Sequence, residues 1–203
     1  MFERIKMKYN GTAPEWLIVG LGNIGPKYEN TRHNAGFICI DEVAKSLGVT
    51  FSGIKMKSEL AFCEIAGKRC ILAKPQTFMN LSGEAVFEIS KFYKIDPSHI
   101  IIISDDINLD VGGMRIRKKG SDGGQRGLRS IIQCINSEDF PRIRVGVGKK
   151  PHPDFDLAAW VTSKFSSDER KLIDERAKDS VGAVECIVKG DFERAMSLYN
   201  KSK

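Results

Sequence analysis

Among the three histidines of this 203-residue chain, His33 stands in the stretch Thr31-Arg32-His33-Asn34-Ala35-Gly36-Phe37, where a polar loop hands over to an apolar segment. Histidine is the side chain whose unperturbed pKa lies closest to neutral pH, so an imidazole at such a junction is suited to take a proton from water. His33 is therefore the first candidate for a general base. The competing reading is a histidine that caps or packs the helix after it, and the company His33 keeps decides between the two. Four consecutive isoleucines, Ile100 to Ile103, run into Ser104-Asp105-Asp106. A carboxylate at the end of so apolar a run is costly to desolvate unless it has a donor. Asp105 is expected to face such a donor in a cleft, and Asp106 to cap the turn before Asn108. Asn23 and Asn80 also follow apolar runs. The set comprises a base, a carboxylate to orient it, and two amides able to hold a carbonyl or a backbone.

Positioning these residues falls to the elements around them. Trp16 to Gly22 is a short run of β formers ending in glycines, a buried strand that delivers Asn23. The segment from about Asn34 to Leu47 is the helix behind His33. A strand pair over Glu59 to Ala66 and Arg69 to Lys74, hinged at Gly67-Lys68, runs out through Pro75-Gln76-Thr77-Phe78-Met79-Asn80 and delivers Asn80, with Phe78 expected in the core. Ser82 to Tyr93 has the spacing of a helix with one buried face. The isoleucine run predicts a central strand covered on both sides. Three strands thus end in Asn23, Asn80 and Asp105, and in open α/β sheets the ligand crevice lies outside the carboxyl ends of the strands. If these strands are parallel neighbours, the polar ends converge, and His33 reaches the same crevice by a short loop.

Further along, Met114 to Arg117 and Arg142 to Gly148 alternate as strands. Gly120 to Gly127 is a glycine-rich loop opening onto a helix marked by Leu128, Ile131, Ile132 and Ile135. Such a loop lets backbone N–H groups approach an anion, or is a plain turn. Lys149 to Asp156, with two prolines, reads as a flexible flap. Ser166-x-x-Glu169 is a capping box, Gly190 a stop, and Asp191 the cap of a last helix. The expected fold is α/β: one compact domain over 16–203, with a mixed, mostly parallel central sheet and helices on both faces, behind a mobile extension over 1–15.

Composition narrows the function classes. With 41% hydrophobic and 29% charged residues the chain can bury an ordinary core. No run approaches the roughly 18 apolar residues of a membrane helix, and the first residues lack a signal-peptide core. Five scattered cysteines, Cys39, Cys63, Cys70, Cys134 and Cys186, form no Cys-x-x-Cys pair and have no paired histidines beside them. They read as buried thiols in a reducing cytoplasm, not as a metal site. Between Gly113 and Lys150 ten Lys/Arg face three Asp/Glu, a local +7 that exceeds the +6 of the whole chain. A basic zone of this kind is the footprint of phosphate binding, most often to nucleic acid, and its alternative is a solvated surface. The glycines at 20, 22 and 25 spell G-x-G-x-x-G, with Asp41 or Glu42 as the distant acid, and invite a nicotinamide-dinucleotide reading. Pro26 and the polar loop to Arg32 oppose it, because the dinucleotide fold starts its helix within the motif. No G-x-S-x-G elbow supports a serine nucleophile.

Two long motifs carry a resemblance. Val19-Gly20-Leu21-Gly22-Asn23-x-Gly25-x-x-Tyr28-x-x-Thr31-Arg32-His33-Asn34-Ala35-Gly36 and Lys74-Pro75-Gln76-Thr77-Phe78-Met79-Asn80-Leu81-Ser82-Gly83 resemble the bacterial-type peptidyl-tRNA hydrolases. The likeness continues through Asp105-Asp106, the Gly-Ser-x-Gly-Gly loop and the Arg-x-Arg-x-Gly-x-Gly strand, from about Leu17 to Asn200. It implies a cytoplasmic, monomeric esterase without metal or cofactor that frees tRNA from a stalled peptide. The histidine matching His33 then activates water, the aspartate matching Asp105 orients it, and Asn23, Asn80 and Met79 line the site and hold the peptide and the 3′ end. Tyr28, Gln125 and Arg126 join them as substrate-binding positions, and Arg117 and Arg144 match a clamp for the tRNA 5′ phosphate. An ester is activated enough for a neutral histidine and placed amide donors to suffice. Where the family pattern has Gly-Gly-His-Asn-Gly, this chain reads Gly-Gly-Gln125-Arg126-Gly. Gln125 donates and accepts but does not titrate, so an acid-base role at 125 falls away. The rival from another class is a non-catalytic RNA-binding relative, resembling chloroplast splicing factors, and intact His33, Asn23 and Asp105 oppose it.

Overall fold

A computed structural model describes residues 13–200; most of the extension expected over 1–15 lies outside the described residues. Seven strands form one sheet: β1 (Trp16–Gly20), β2 (Ser52–Lys55), β3 (Ser58–Ile65), β4 (Lys68–Pro75), β5 (Ile100–Asp106), β6 (Met114–Arg117) and β7 (Arg142–Gly146), in the order β2-β3-β4-β1-β5-β7-β6. The centre, β4-β1-β5-β7, is parallel, and both margins are antiparallel. Helices cover both faces. α1 (Ala35–Ser46) and α5 (Ser167–Lys189) pack on one face, while α2 (Ser82–Tyr93) and α3 (Arg126–Ile135) pack on the other. A short α4 (Leu157–Val161) and a terminal α6 (Phe192–Tyr199) complete the chain. None of these helices is long and apolar enough to cross a membrane.

The isoleucine run explains the two-sided core. Successive side chains of a strand point to opposite faces, so Ile101 and Ile103 enter the core under α1 and α5, and Ile100 and Ile102 the core under α2 and α3. Each fully buried side chain of this size contributes roughly 1.5–3 kcal/mol. The β3–β4 turn falls on Ala66 (φ 52) and Gly67 (φ 77), one residue before the expected hinge. Two left-handed residues make the turn whose twist matches the flanking strands. The capping box at Ser166 and Glu169 forms, Gly190 ends α5 at φ 88, and Asp191 caps α6.

One strand was not expected, and the glycine motif is used as the polar loop after it implied. β2 carries the weak pattern Ser-Gly-Ile-Lys and is an exposed, bulged edge strand that hydropathy does not reveal. Two of the three glycines of G-x-G-x-x-G, Gly20 and Gly22, serve packing against α1, as does Gly36 within that helix, whereas Gly25 takes φ 103 in open space. A Cβ on Gly36 would sit 2.4 Å from Ile103 O, and one on Gly20 2.4 Å from Gly36 O. The first turn of α1 therefore lies directly on the backbones of β1 and β5, which brings the turn just before it, with His33 two residues ahead of Ala35, to the carboxyl end of β5. After Gly25 come two 3₁₀ turns, Pro26–Tyr28 and Arg32–Asn34, and the α-helix waits until Ala35. The dinucleotide geometry, a helix N-terminus facing a pyrophosphate, is not formed.

Candidate active site

Because β4, β1 and β5 are parallel neighbours, their carboxyl ends open on one edge of the sheet. A cleft of about 360 Å³ lies there, lined by His33, Asn23, Tyr28, Met79, Asn80, Asp105, Gln125, Arg126 and Arg144 among others. Arg117 is exposed at the end of β6 and does not line it. Every other expected site residue is brought into the one cleft.

The 3₁₀ turn Arg32–Asn34 holds His33 buried, with Nδ1 2.9 Å from Asp105 Oδ2. With Nδ1–H donating to the carboxylate, Nε2 carries the lone pair, and it has no protein partner among the described residues. Burial pulls the His33 pKa down. The charge and hydrogen bond of Asp105 push it up and prevail, against a smaller opposing effect of the Arg126 charge, so the pKa lies above the ordinary imidazole value. Asp105 is held at its other oxygen as well: Gln125 Nε2 donates to Oδ1 at 2.9 Å and also contacts Met79 Sδ at 3.1 Å. Gln125 Oε1 accepts from Leu128 N and so caps α3. The Gln125 amide is thus committed to Asp105 and the helix.

Asn34, which sequence reasoning left without a role, fixes Asn23. Its Oδ1 accepts from Asn23 N (2.8 Å) and its Nδ2 donates to Asn23 O (3.0 Å). Asn23 Oδ1 in turn accepts from Met79 N at 2.8 Å, so two strand ends are joined and Asn23 Nδ2 is left without a protein partner among the described residues. An unspent amide donor near a basic nitrogen suits a developing oxyanion.

The rim brings corrections. Phe78, expected in the core, is 49% exposed, lines the cleft, and meets Tyr28 edge-on at 6.4 Å. Hydropathy reads Phe78-Met79 as a buried pair, but the 3₁₀ turn Met79–Leu81 buries only Met79. Asp106 caps Asn108 N as expected and also pairs with Arg144 at 2.7 Å. In the glycine-rich loop the N–H of Gly124 is used internally, donating to Asp122 Oδ1 at 2.6 Å. Residues 149–156 form turns without helix or strand, and α4 supplies the opposite wall with Leu157 and Val161. Burial pushes the thiols of Cys39, Cys63 and Cys70 up to about 12, which keeps them protonated and poor nucleophiles.

A mixed α/β domain with a buried His33–Asp105 pair in a cleft at its strand ends has the fold and site of a hydrolytic enzyme. The chain belongs to the peptidyl-tRNA hydrolase family, whose model matches residues 17–203. A peptidyl-tRNA hydrolase of Thermoanaerobacter sp. (strain X514) is 50% identical over 185 residues, 91% of this chain and 99% of the relative. One from Elusimicrobium minutum (strain Pei191) is 50% identical over 185 residues, with 91% and 98% covered. The crystal structure of peptidyl-tRNA hydrolase from Acinetobacter baumannii matches with a TM-score of 0.87 at 35% identity, over 93% of this chain and 96% of that one.

Proposed function

We propose that this protein hydrolyses the ester between a peptide and the terminal ribose of tRNA, as a cytoplasmic monomer, with His33 activating the water. The observation that carries the reading is the 2.9 Å contact of His33 Nδ1 with Asp105 Oδ2, which leaves Nε2 basic at the cleft. Nε2 takes a proton from water as the water oxygen bonds to the ester carbonyl carbon. The oxyanion so formed accepts from Asn23 Nδ2. Its collapse breaks the bond to the ribose oxygen, which takes the proton from the imidazolium, and the products are tRNA with a free ribose hydroxyl and a peptide carboxylic acid, which loses its remaining proton to solvent as a carboxylate. Gln125 acts here through Asp105, while Tyr28, Phe78, Met79 and Asn80 form the wall against which the peptide and the terminal nucleoside lie. General-base help is typically worth on the order of 10²–10⁴-fold.

Release of peptide from an N-blocked aminoacyl-tRNA tests the reading. His33→Ala is expected to lose nearly all turnover while it melts like the wild type and still binds tRNA. Retention of more than about a tenth of the wild-type rate would exclude His33 as the base, since that loss is smaller than the usual general-base effect. A wild-type protein that binds tRNA without releasing peptide would instead mark a non-catalytic RNA binder.

A further inference from the structure

Two guanidiniums line the cleft, and they differ in what occupies them. Arg144 is paired with Asp106 at 2.7 Å. Arg126 has no carboxylate or carbonyl partner among the described residues, and every carboxylate lining the cleft is engaged elsewhere. Asp105 holds His33 and Gln125, Asp122 is paired with Arg129 at 3.3 Å, and Asp156 caps α4 through Ala159 N. Arg126 is also the first residue of the ten-residue α3, where the helix dipole disfavours a cation. A positive charge placed against helix stability and left unpaired beside the reacting groups calls for an anion from outside. Its backbone follows Gln125, whose amide touches Asp105, so a long side chain at 126 begins one residue from the dyad.

Resting on the ester-hydrolase reading above, we infer that Arg126 binds the phosphodiester linking the terminal nucleoside to the rest of the tRNA, one ribose away from the scissile ester, and so acts as a specificity residue for a nucleotide-borne ester. Two roles compete for a guanidinium here, and the structure separates them. An oxyanion donor must be held in place before the reaction, yet Arg126 is exposed and no hydrogen bond or ion pair among the described residues fixes its guanidinium. A phosphodiester is fully charged before, during and after the reaction, and a mobile fork that closes on it bidentately satisfies both groups. Such a contact strengthens binding of substrate and transition state alike and appears in KM. The charge of Arg126 also reaches His33, where it opposes Asp105.

A thermodynamic cycle tests this with the full chain and an N-acetyl-aminoacyl-tRNA in which the last phosphodiester is either native or a neutral methylphosphonate. On the native substrate Arg126→Gln should raise KM roughly tenfold, the low end for a hydrogen bond to a charged group, with kcat at the pH plateau nearly unchanged. On the methylphosphonate substrate the same substitution should change KM little, because the partner charge is already gone. Arg126→Lys should recover part of the loss on the native substrate only. Independent, additive effects of the two changes would overturn the assignment, and an equal fall of kcat on both substrates would move Arg126 to the oxyanion instead. Wild-type protein that cleaves neither substrate would defeat the underlying ester-hydrolase reading and not the assignment within it. The acid limb of the pH profile gives a further readout. Without the Arg126 charge the His33 pKa rises, so the limb should move to higher pH, and an unmoved limb would place the guanidinium too far from the dyad.

Discussion

Asp105 serves two donors at once, and that division decides what its replacement by asparagine would do. Oδ1 accepts from Gln125 Nε2 and Oδ2 faces His33 Nδ1, each at 2.9 Å. In Asp105→Asn the Gln125 donor selects the amide oxygen, which turns the amide N–H₂ toward His33. Nδ1 must then accept, and the neutral imidazole carries its proton on Nε2, the wrong atom for a base. A rate loss of roughly 10²–10⁴-fold is expected, the size of the general-base effect. The pH dependence has a definite sign. The Asp105 charge favours the imidazolium, so its removal lowers the His33 pKa and the acid limb of kcat/KM should move to lower pH. A limb that stays put would exclude Asp105 as the group that raises His33. The pairing was legible in the sequence because Asp105 follows an apolar run, His33 stands at a loop–helix junction, and a buried carboxylate needs a donor. The role of Asn34 was not, because its bonds are to the backbone of Asn23, eleven residues away, and no residue pattern encodes such a brace.

At the scale of elements, one side chain ties the His33 turn to the far wall of the cleft. Arg32 is buried; its guanidinium donates to Val147 O at 2.8 Å, to Ser163 Oγ at 3.2 Å and to both oxygens of Glu169 at 2.9 Å. Its plane lies on Trp160 of α4, with Cζ 3.8 Å from the ring centroid. The turn before α1, the end of β7, α4 and the N-terminus of α5 thus meet at Arg32. Loss of one member of a buried ion pair costs roughly 3–5 kcal/mol, and a value near 3 is expected for Arg32→Ala because Glu169 is 26% exposed. In a chain of this length that is a fall in Tm of about 6–12 °C. Arg32→Lys keeps the charge but neither the fork nor the stacking, so it should recover only part of the Tm and leave kcat well below wild type. A lysine variant with wild-type melting and turnover would show that the fork and stacking do not position His33. Local signals announced α2, α5 and α6, whose periodicity and caps stand in the sequence. They did not announce α4, five residues long, or Arg32, whose partners lie up to 137 residues away.

For the whole molecule the question is where the charge sits. The basic zone folds into β6, β7 and the loop above them. Arg115 lies opposite Arg144 and Arg117 opposite Arg142 across the antiparallel pair, so four guanidinium side chains leave one face of the sheet. They are not equivalent. Arg142 is buried and donates to Ser121 O at 2.7 Å and Glu138 O at 3.1 Å, and burial pulls its pKa down to about 10, still a cation at neutral pH. It adds to the potential but is spent on carbonyls. Arg117 is exposed and stands diagonally from Arg144, and we propose, as the family resemblance implies, that these two hold the tRNA 5′ phosphate. Arg117→Ala should weaken tRNA binding and flatten the slope of log affinity against log salt by roughly 0.7–0.9, with kcat nearly unchanged. Arg144→Ala should flatten the slope as much and also lower Tm, because it leaves the buried Asp106 carboxylate without its cation. The two effects of Arg144 are separable. Adding Asp106→Asn removes the stranded charge while keeping an oxygen for Asn108 N, so the double variant should regain most of the Tm and none of the salt slope. If Arg117→Ala and the double variant both keep the wild-type slope, the basic face is solvated surface and the 5′ phosphate is held elsewhere.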